Sequence, residues 1–518
     1  MIFKRLPIYL RPILLLFYLS LNAQTRNPLP RSNPESEGVS SSGIEKFLNA
    51  AAGSKTEFHS FMFLRHGKVI AEGWWNPYSS NLKHSMYSTS KSFTATAIGF
   101  AINEKRLALT DKVISFFPKD LPDTISQNLS RLAIKDLLSM SVGQDPDPTA
   151  DVITKDSNWV RAILAKPIVN EPGTRFLYNT MGTFLLSAIL QKVTHQTLLD
   201  YLKPRLFDPL GIEQMDWELS PTGVNTGGWG LRIKTEDMAK FGQLFLQNGQ
   251  WLGIQVIPKD WIEAASSTKI IQHPELSRSK RDSSDWEQGY CYQMWRCRNQ
   301  AFRADGAYGQ FIIIMPEKDA VVAITAETAD MQQELNLVWK YLLPAIHPSP
   351  LSANKLESEK MNQQLSALAI SIPKSLSFPT EEKNLSGKIF VIQPNQKQIK
   401  NISFDFNNDK CFLNLTTDSN SFRLAYGVGK WEFGETSKRG PYLISNPIYN
   451  FYTFVKSRVA GAYRWIDGNT IELTLRYIES PHSERTVCHF DQNFVSIEIQ
   501  NSLDFGKKST VLKGVCNE

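Results

Sequence analysis

The hydrophobic period of this 518-residue chain changes once, and that change divides it. Up to about residue 345, apolar runs paired as hairpins stand at both ends of a helix-rich middle. Phe58 to Arg65 and Lys68 to Trp75 flank His66-Gly67, while Phe311 to Met315 and Ala320 to Thr325 flank Pro316 to Asp319. Between them, Ser90 to Ala101 carries Phe93, Ala97, Phe100 and Ala101 at helical spacing, and Met181 to Val193 is similar. Ser41 to Ala52 and Gln332 to Leu343 also read as helices. Strands at the two ends of a sequence, with helices between, predict one antiparallel sheet flanked by helices, an α+β domain over residues 34–345. Residues 346–386 shift to Ser, Pro, Lys and Glu and read as a linker with one short helix. Beyond it the period is two. Ile402, Phe404 and Phe406 alternate with polar residues, as do Ile471, Leu473, Leu475 and Tyr477, and then Val495, Ile497 and Ile499. Residues 387–518 are therefore expected to form an all-β barrel or sandwich.

The first 23 residues read as a segment outside the fold. Lys4, Arg5 and Arg11 precede the short apolar run Pro12 to Leu21, and Leu21-Asn22-Ala23 offers a small residue for cleavage. That order predicts a secretory signal and an exported, periplasmic or secreted protein without stable membrane insertion. Removing three positive charges takes the formal net charge from +6 to about +3, a balance that points to neither nucleic acid nor an acidic membrane surface. The five cysteines, Cys291, Cys297, Cys411, Cys488 and Cys516, fit no zinc spacing. Tyr290 to Trp295 reads as strand, and six residues of strand span about 20 Å. Cys291 and Cys297 would then lie beyond disulfide reach unless the chain turns between them. No metal or organic cofactor is expected.

Ser88-Thr89-Ser90-Lys91 fits the pattern S-x-x-K. On a helix, residues three apart share a face, so the amine sits beside the hydroxyl. Burial and nearby positive dipoles can bring such a lysine towards neutrality, where it takes the serine proton. The helix N-terminus adds backbone N–H groups suited to an oxyanion. The pattern alone does not discriminate, since Ser80/Lys83, Ser266/Lys269, Ser277/Lys280, Ser352/Lys355 and Ser371/Lys374 repeat it. Context does: only Ser88 opens a helix with a core face, shortly after a strand hairpin.

Tyr87 to Thr94 resembles the nucleophile segment of the serine β-lactamase and penicillin-binding superfamily, especially class C β-lactamases, family VIII carboxylesterases and nylon-oligomer hydrolases. Three further stretches agree in order. Asp136-Leu137-Leu138-Ser139-Met140-Ser141-Val142-Gly143 is similar to the family's LLTHTSG loop. Pro172 to Thr180 is similar to its PGTxFxYSN segment, and Gly227-Gly228-Trp229-Gly230-Leu231 to its GGxGL turn. The resemblance covers about residues 34–345 and implies the β-lactamase-like transpeptidase fold.

It also implies roles. Tyr178 becomes the second catalytic residue, a general acid or base beside Lys91. The family's Tyr-x-Asn is Tyr178-Asn179-Thr180 here, so the amide-contacting Asn is replaced by Thr, leaving Asn179 as a substrate-binding candidate. The Lys-Thr-Gly or His-x-Gly expected before the last hairpin is also missing. Phe302 to Gln310 stands there, with Arg303 as a substitute cation and Gly306 and Tyr308 as further substrate contacts. Backbone N–H groups of Ser88 and Ala307 are the expected oxyanion hole, with Ala304 the alternative to Ala307. Asp305 reads as a capping or turn residue. Trp74, Trp75, Trp229 and Trp295 are candidates either for an acyl pocket or for the core. An intact nucleophile with no carboxylate-binding motif implies an esterase or amidase acting on small acyl substrates. The alternatives are a cell-wall D-amino-acid peptidase or β-lactamase, and a non-catalytic sensor on the same fold.

Overall fold

The computed structural model describes residues 28–444 and 456–516. The expected export segment lies outside them. Six strands form the central sheet: β1 (Glu57–Arg65), β2 (Lys68–Trp74), β3 (Trp295–Arg296), β4 (Phe302–Gly306), β5 (Gln310–Met315) and β6 (Ala320–Glu327). Their order is β2-β1-β6-β5-β4-β3, with every neighbour antiparallel. The long β1–β6 ladder joins the two ends of the α+β sequence, as the hairpin pattern predicts. Both faces of the sheet are covered, which is why its strands read as continuous apolar runs rather than alternating ones. Phe61, Phe63, Ile313 and Val322 pack on one side with Phe47 of α1 (Ser41–Ala52). Met62, Leu64, Ile312 and Val321 pack on the other, beneath α4 (Thr235–Leu246), on which α2 (Ser90–Asn103) lies in turn through Phe93.

Helix α2 is buried nearly all round from Ser90 to Ala101, so it is a central helix and not the amphipathic surface helix its spacing implied. Its small hydroxyls make this possible, because each finds a partner. Ser92 Oγ donates to the Gln293 carbonyl at 2.7 Å, Thr94 Oγ1 to Gly227 at 2.8 Å and Thr96 Oγ1 to Ser92 at 2.9 Å. The helix α3 (Thr180–Thr194) crosses beside it, and Phe93 stacks on Phe241 of α4 (Thr235–Leu246) at 3.9 Å. The expected C-terminal helix is helical over Met331–Leu337, widens over Val338–Leu342 and tightens at Leu343–Ala345.

Two sequence expectations need correction. Tyr290 to Trp295 is not a strand but a turn, with Gln293 at φ 61° and an antiparallel bridge between Tyr290 and Trp295. Cys291 and Cys297 are nonetheless buried thiols without a disulfide. Residues 346–386 hold two helices, α5 (Lys355–Ser366) and α6 (Pro379–Leu385), and the first is packed rather than free. Met361 is fully buried, and a Cβ on Gly73 of β2 would lie 2.5 Å from Leu368 Cδ1.

The C-terminal part is a barrel, which decides between the two all-β expectations. Its strands are β7 (Ile389–Ile392), β8 (Ile399–Asn407), β9 (Lys410–Thr417), β10 (Ser421–Val428), β11 (Glu432–Thr436), β12 (Ser457–Asp467), β13 (Thr470–Tyr477), β14 (Ser483–Asp491), β15 (Phe494–Asn501) and β16 (Thr510–Cys516). The ring runs β10-β9-β8-β7-β16-β15-β14-β13-β12 and closes through a short parallel pairing of Gly427 and Val428 with Ala462 and Tyr463. Strand β11 hangs on β12 outside the ring. The inward positions are the alternating residues read from the sequence, Ile402, Phe404, Ile471, Leu473, Val495 and Ile497 among them.

Candidate active site

Ser88 sits in the single tight turn Tyr87–Thr89 that feeds directly into α2. Tyr87 has φ 45°, a left-handed conformation costly for a residue with a Cβ, of order 1–3 kcal/mol. It is held from all sides. The strand β4 comes so close behind the turn that a Cβ on Gly306 would stand 2.2 Å from the Met86 carbonyl, so glycine is required there. Thr89 Oγ1 donates to the Gln310 carbonyl at 2.8 Å, tying the turn to β5. This approach brings Ala307 to the side of the nucleophile turn.

One turn into α2, Lys91 points back at the serine. Its Nζ lies 3.0 Å from Ser88 Oγ and donates to the Gly228 carbonyl at 2.7 Å. Burial lowers the lysine from 10.5 to about 7, against the opposing pull of Asp147 and Asp305. Gly228 approaches so near that a Cβ would meet Thr180 Cγ2 at 2.8 Å, so the Gly-Gly turn presents bare backbone to the amine. The ammonium also lies 5.0 Å from the centre of the Tyr178 ring. Burial pushes the Tyr178 phenol far above its ordinary 10, moderated by the Ser88 side chain beside its hydroxyl. The Tyr178 ring stacks on Trp295 at 5.8 Å. The structure thus brings Ser88, Lys91 and Tyr178 together from three separate segments.

The other candidate residues have different surroundings. Asn179 is fully buried as the cap of α3: its Oδ1 accepts from Gly182 N at 2.8 Å and its Nδ2 donates to Gln144 at 2.9 Å. Arg303 is also fully buried, donating to Asp305, to the Asp285 carbonyl at 2.8 Å and to Cys297 Sγ at 3.1 Å, under the face of Trp286. Asp305 is a strand residue of β4 and no turn. Its carboxyl is raised by burial, countered first by Arg303, and it faces Lys91 electrostatically. Ala304 points away into the core. Tyr308, at φ 68°, packs edge-on against Tyr87 at 5.6 Å. Of the tryptophans, Trp295 belongs to the site. Trp229 is core behind it, donating to Glu218 at 3.1 Å, and Trp75 stacks on Phe58. Trp74 is half-buried on β2.

Sequence reasoning missed what the barrel contributes. His482, on the link between β13 and β14, is fully buried beneath the nucleophile turn. Its Nε2 lies 2.6 Å from the Tyr87 hydroxyl and its Nδ1 2.6 Å from Glu327 Oε1 at the end of β6. With Nδ1–H donated to Glu327, Nε2 is left to accept the Tyr87 hydroxyl. Tyr442 stacks on Tyr87 at 5.5 Å and donates to Glu218, whose carboxyl burial raises to about 7. Nearby, Ser85 N donates to the Glu479 carbonyl at 3.0 Å. No local signal marks a histidine some 390 positions away as a neighbour. Gln293 was missed as well: it receives Thr183 at 2.8 Å and donates to Leu137 and Leu138 carbonyls at 3.0 Å, binding α3 to the Asp136–Gly143 loop.

The family model for β-lactamase matches residues 57–344. A 6-aminohexanoate-dimer hydrolase of Paenarthrobacter ureafaciens is 24% identical over 283 residues, covering 51% of this chain and 71% of that protein. Protein flp of Staphylococcus aureus strain MW2 is 33% identical over 137 residues, covering 26% of this chain and 27% of its own. Among solved structures, a Bacteroides dorei DSM 17855 protein described as a β-lactamase aligns with a TM-score of 0.51 at 15% identity, covering 59% of this chain and 99% of the other. That likeness is one of fold.

Proposed function

The chain belongs to the β-lactamase family of hydrolases through residues 57–344, and we propose that it cleaves small esters or amides through an acyl-enzyme on Ser88. The observation that carries this reading is the Lys91 amine, 3.0 Å from Ser88 Oγ and lowered to about 7. Neutral Lys91 takes the Ser88 proton as Oγ attacks the carbonyl carbon. The N–H groups of Ser88 and Ala307 receive the negative charge that develops on the carbonyl oxygen. Collapse of the tetrahedral adduct breaks the bond to the leaving group, which departs with a proton from Lys91 or through the Tyr178 hydroxyl. Water then attacks the acyl carbon, its proton passing to the same base, and Ser88 is restored.

Two features favour neutral acyl substrates over those bearing a carboxylate. Phe302 to Gln310, the segment before the last hairpin, carries no Lys-Thr-Gly to hold a substrate carboxylate. Arg303 is already paired with Asp305, and Asp147 and Asp305 are the acidic groups that act on Lys91. The similarity to a 6-aminohexanoate-dimer hydrolase supports keeping amides beside esters. The basic and apolar order of the first 23 residues supports an exported protein.

Intact mass after exposure to a fluorophosphonate, and turnover of p-nitrophenyl acetate, test the proposal in the wild type and Ser88→Ala. One adduct with ester turnover is expected, both lost in the variant. Equal labelling of Ser88→Ala places the nucleophile elsewhere, and a chromogenic cephalosporin cleaved as fast as the ester overturns the substrate class.

A further inference from the structure

The barrel has an interior of its own. A ring of nine strands is wide enough for side chains to fill it or for a ligand to lie inside. Here aromatic rings fill one end: Phe404, Phe406, Phe490 and Trp465 pack at centroid separations of 5.6 to 6.5 Å. The other end holds a cavity of about 620 Å³, whose apolar wall includes Ile402, Leu413, Phe422, Leu424, Ile497 and Leu512. Every residue lining it lies between Lys397 and Leu512, so the cavity belongs to the barrel and is separate from Ser88. That volume is in the range of small-molecule sites, roughly 300–1,000 Å³, and its wall mixes apolar side chains with a few polar ones, as such sites do.

The mouth carries a built polar group. Lys438 Nζ donates to Glu484 Oε1 at 2.8 Å and lies 3.4 Å from the Tyr477 hydroxyl. The side chains of Lys438 and Glu484 are only 15% and 11% exposed. The pair carries no net charge, and the other two charged residues on the lining, Lys397 and Arg439, are exposed. A carboxylate entering there meets Glu484, and an ammonium meets Lys438, so either charge is opposed. A hydroxyl or amide meets both in its favour, accepting from Lys438 and donating to Glu484.

We propose that the barrel cavity binds an elongated, uncharged amphiphile, its aliphatic chain between Leu413, Leu424 and Ile497 and its hydroxyl or amide head at the Lys438–Glu484 pair. The test is fluorescence titration of the full-length protein with N-phenyl-1-naphthylamine, followed by displacement with 1-decanol, decanoate and decyltrimethylammonium. Saturable binding of one probe per chain is expected, with 1-decanol displacing it at a concentration at least tenfold lower than either ion. Leu413→Trp, which fills the cavity, weakens probe binding at least tenfold while ester turnover is retained. Should that variant lose turnover as well, Leu424→Phe repeats the test with a smaller change. Absence of saturable binding, or unchanged affinity in a filled variant that keeps turnover, overturns the site. Displacement by decanoate at the same concentration as 1-decanol overturns the uncharged head.

Discussion

In the proposed mechanism, Lys91 is where a single residue decides the chemistry. Its amine is buried with one carbonyl and one serine as partners, so it is held near neutrality rather than charged. Because the basic form is the deprotonated one, kcat/KM is expected to rise with pH through an apparent value near 7 and to level above it. A flat profile from pH 5.5 to 9 removes Lys91 as the base. Lys91→Arg, which stays protonated, is expected to lower kcat by roughly 10²–10⁴-fold while leaving the fold intact by circular dichroism. Tyr178→Phe keeps the ring stacked on Trp295 and removes only the hydroxyl. Its kcat is expected to fall by about 10²-fold, with the larger loss on substrates whose leaving groups need a proton. A variant with unchanged turnover on an alkyl amide takes Tyr178 out of the proton path. These three residues are legible in the sequence because each sits in a contiguous motif. Asn179 and Arg303 look just as polar in the sequence, and only their capping and ion-pair partners reveal that their side chains are already engaged.

At the scale of elements, the nucleophile turn is a strained piece of backbone clamped between two others. The strand β4 fixes it from one side, through the close approach at Gly306, and the β13–β14 link fixes it from the other, through His482. Gly306→Ala is expected to push β4 away from Met86 and lower kcat more than it raises KM, because Ala307, the proposed oxyanion donor, follows it in the chain. Tyr87→Phe and His482→Ala break the same hydrogen bond. Each is expected to lower kcat by about 10- to 100-fold with little change in KM, and the double variant to fall no further than the worse single one. Additive losses in a stopped-flow acylation assay would mean that the two residues act independently. The hairpins, α1 and the ends of α2 were readable from period and turn residues, because those signals are local. The turn at Tyr290 to Trp295 was not, since its apolar residues are buried in a turn and carry the composition of a strand.

Across the whole molecule, the barrel is seated on the β-lactamase-family domain by buried polar contacts. Arg476 of β13 donates to Glu57 of β1 at 2.5 and 2.8 Å, and Arg232 reaches Glu479 at 3.3 Å. Burial works against the charge on Glu57, but Arg476 and His59 outweigh it and hold that carboxyl well below its ordinary 4.5. A depressed carboxylate stabilises the folded state above pH 4.5, and that contribution disappears as pH falls through its folded value. Arg476→Met is therefore expected to lower Tm at pH 7 and to flatten the dependence of Tm on pH below 4.5. Equal losses of Tm at pH 7 and pH 3 would remove the pair from the acid response. Among the described residues no helix is long and apolar enough to cross a membrane.

What the sequence alone determined is whatever depends on near neighbours: the strand and helix periods, the change of period that separates two domains, and the serine and lysine one helical turn apart. Tertiary structure alone decided that the lysine amine is buried against a glycine turn, how the barrel closes, and which distant side chain braces the turn at Ser88. The physical reason is that desolvation, ion pairing and strain are set by what packs around a group. His482 and Ser88 meet only because a barrel and a sheet, each formed by its own local pattern, bury one surface against the other.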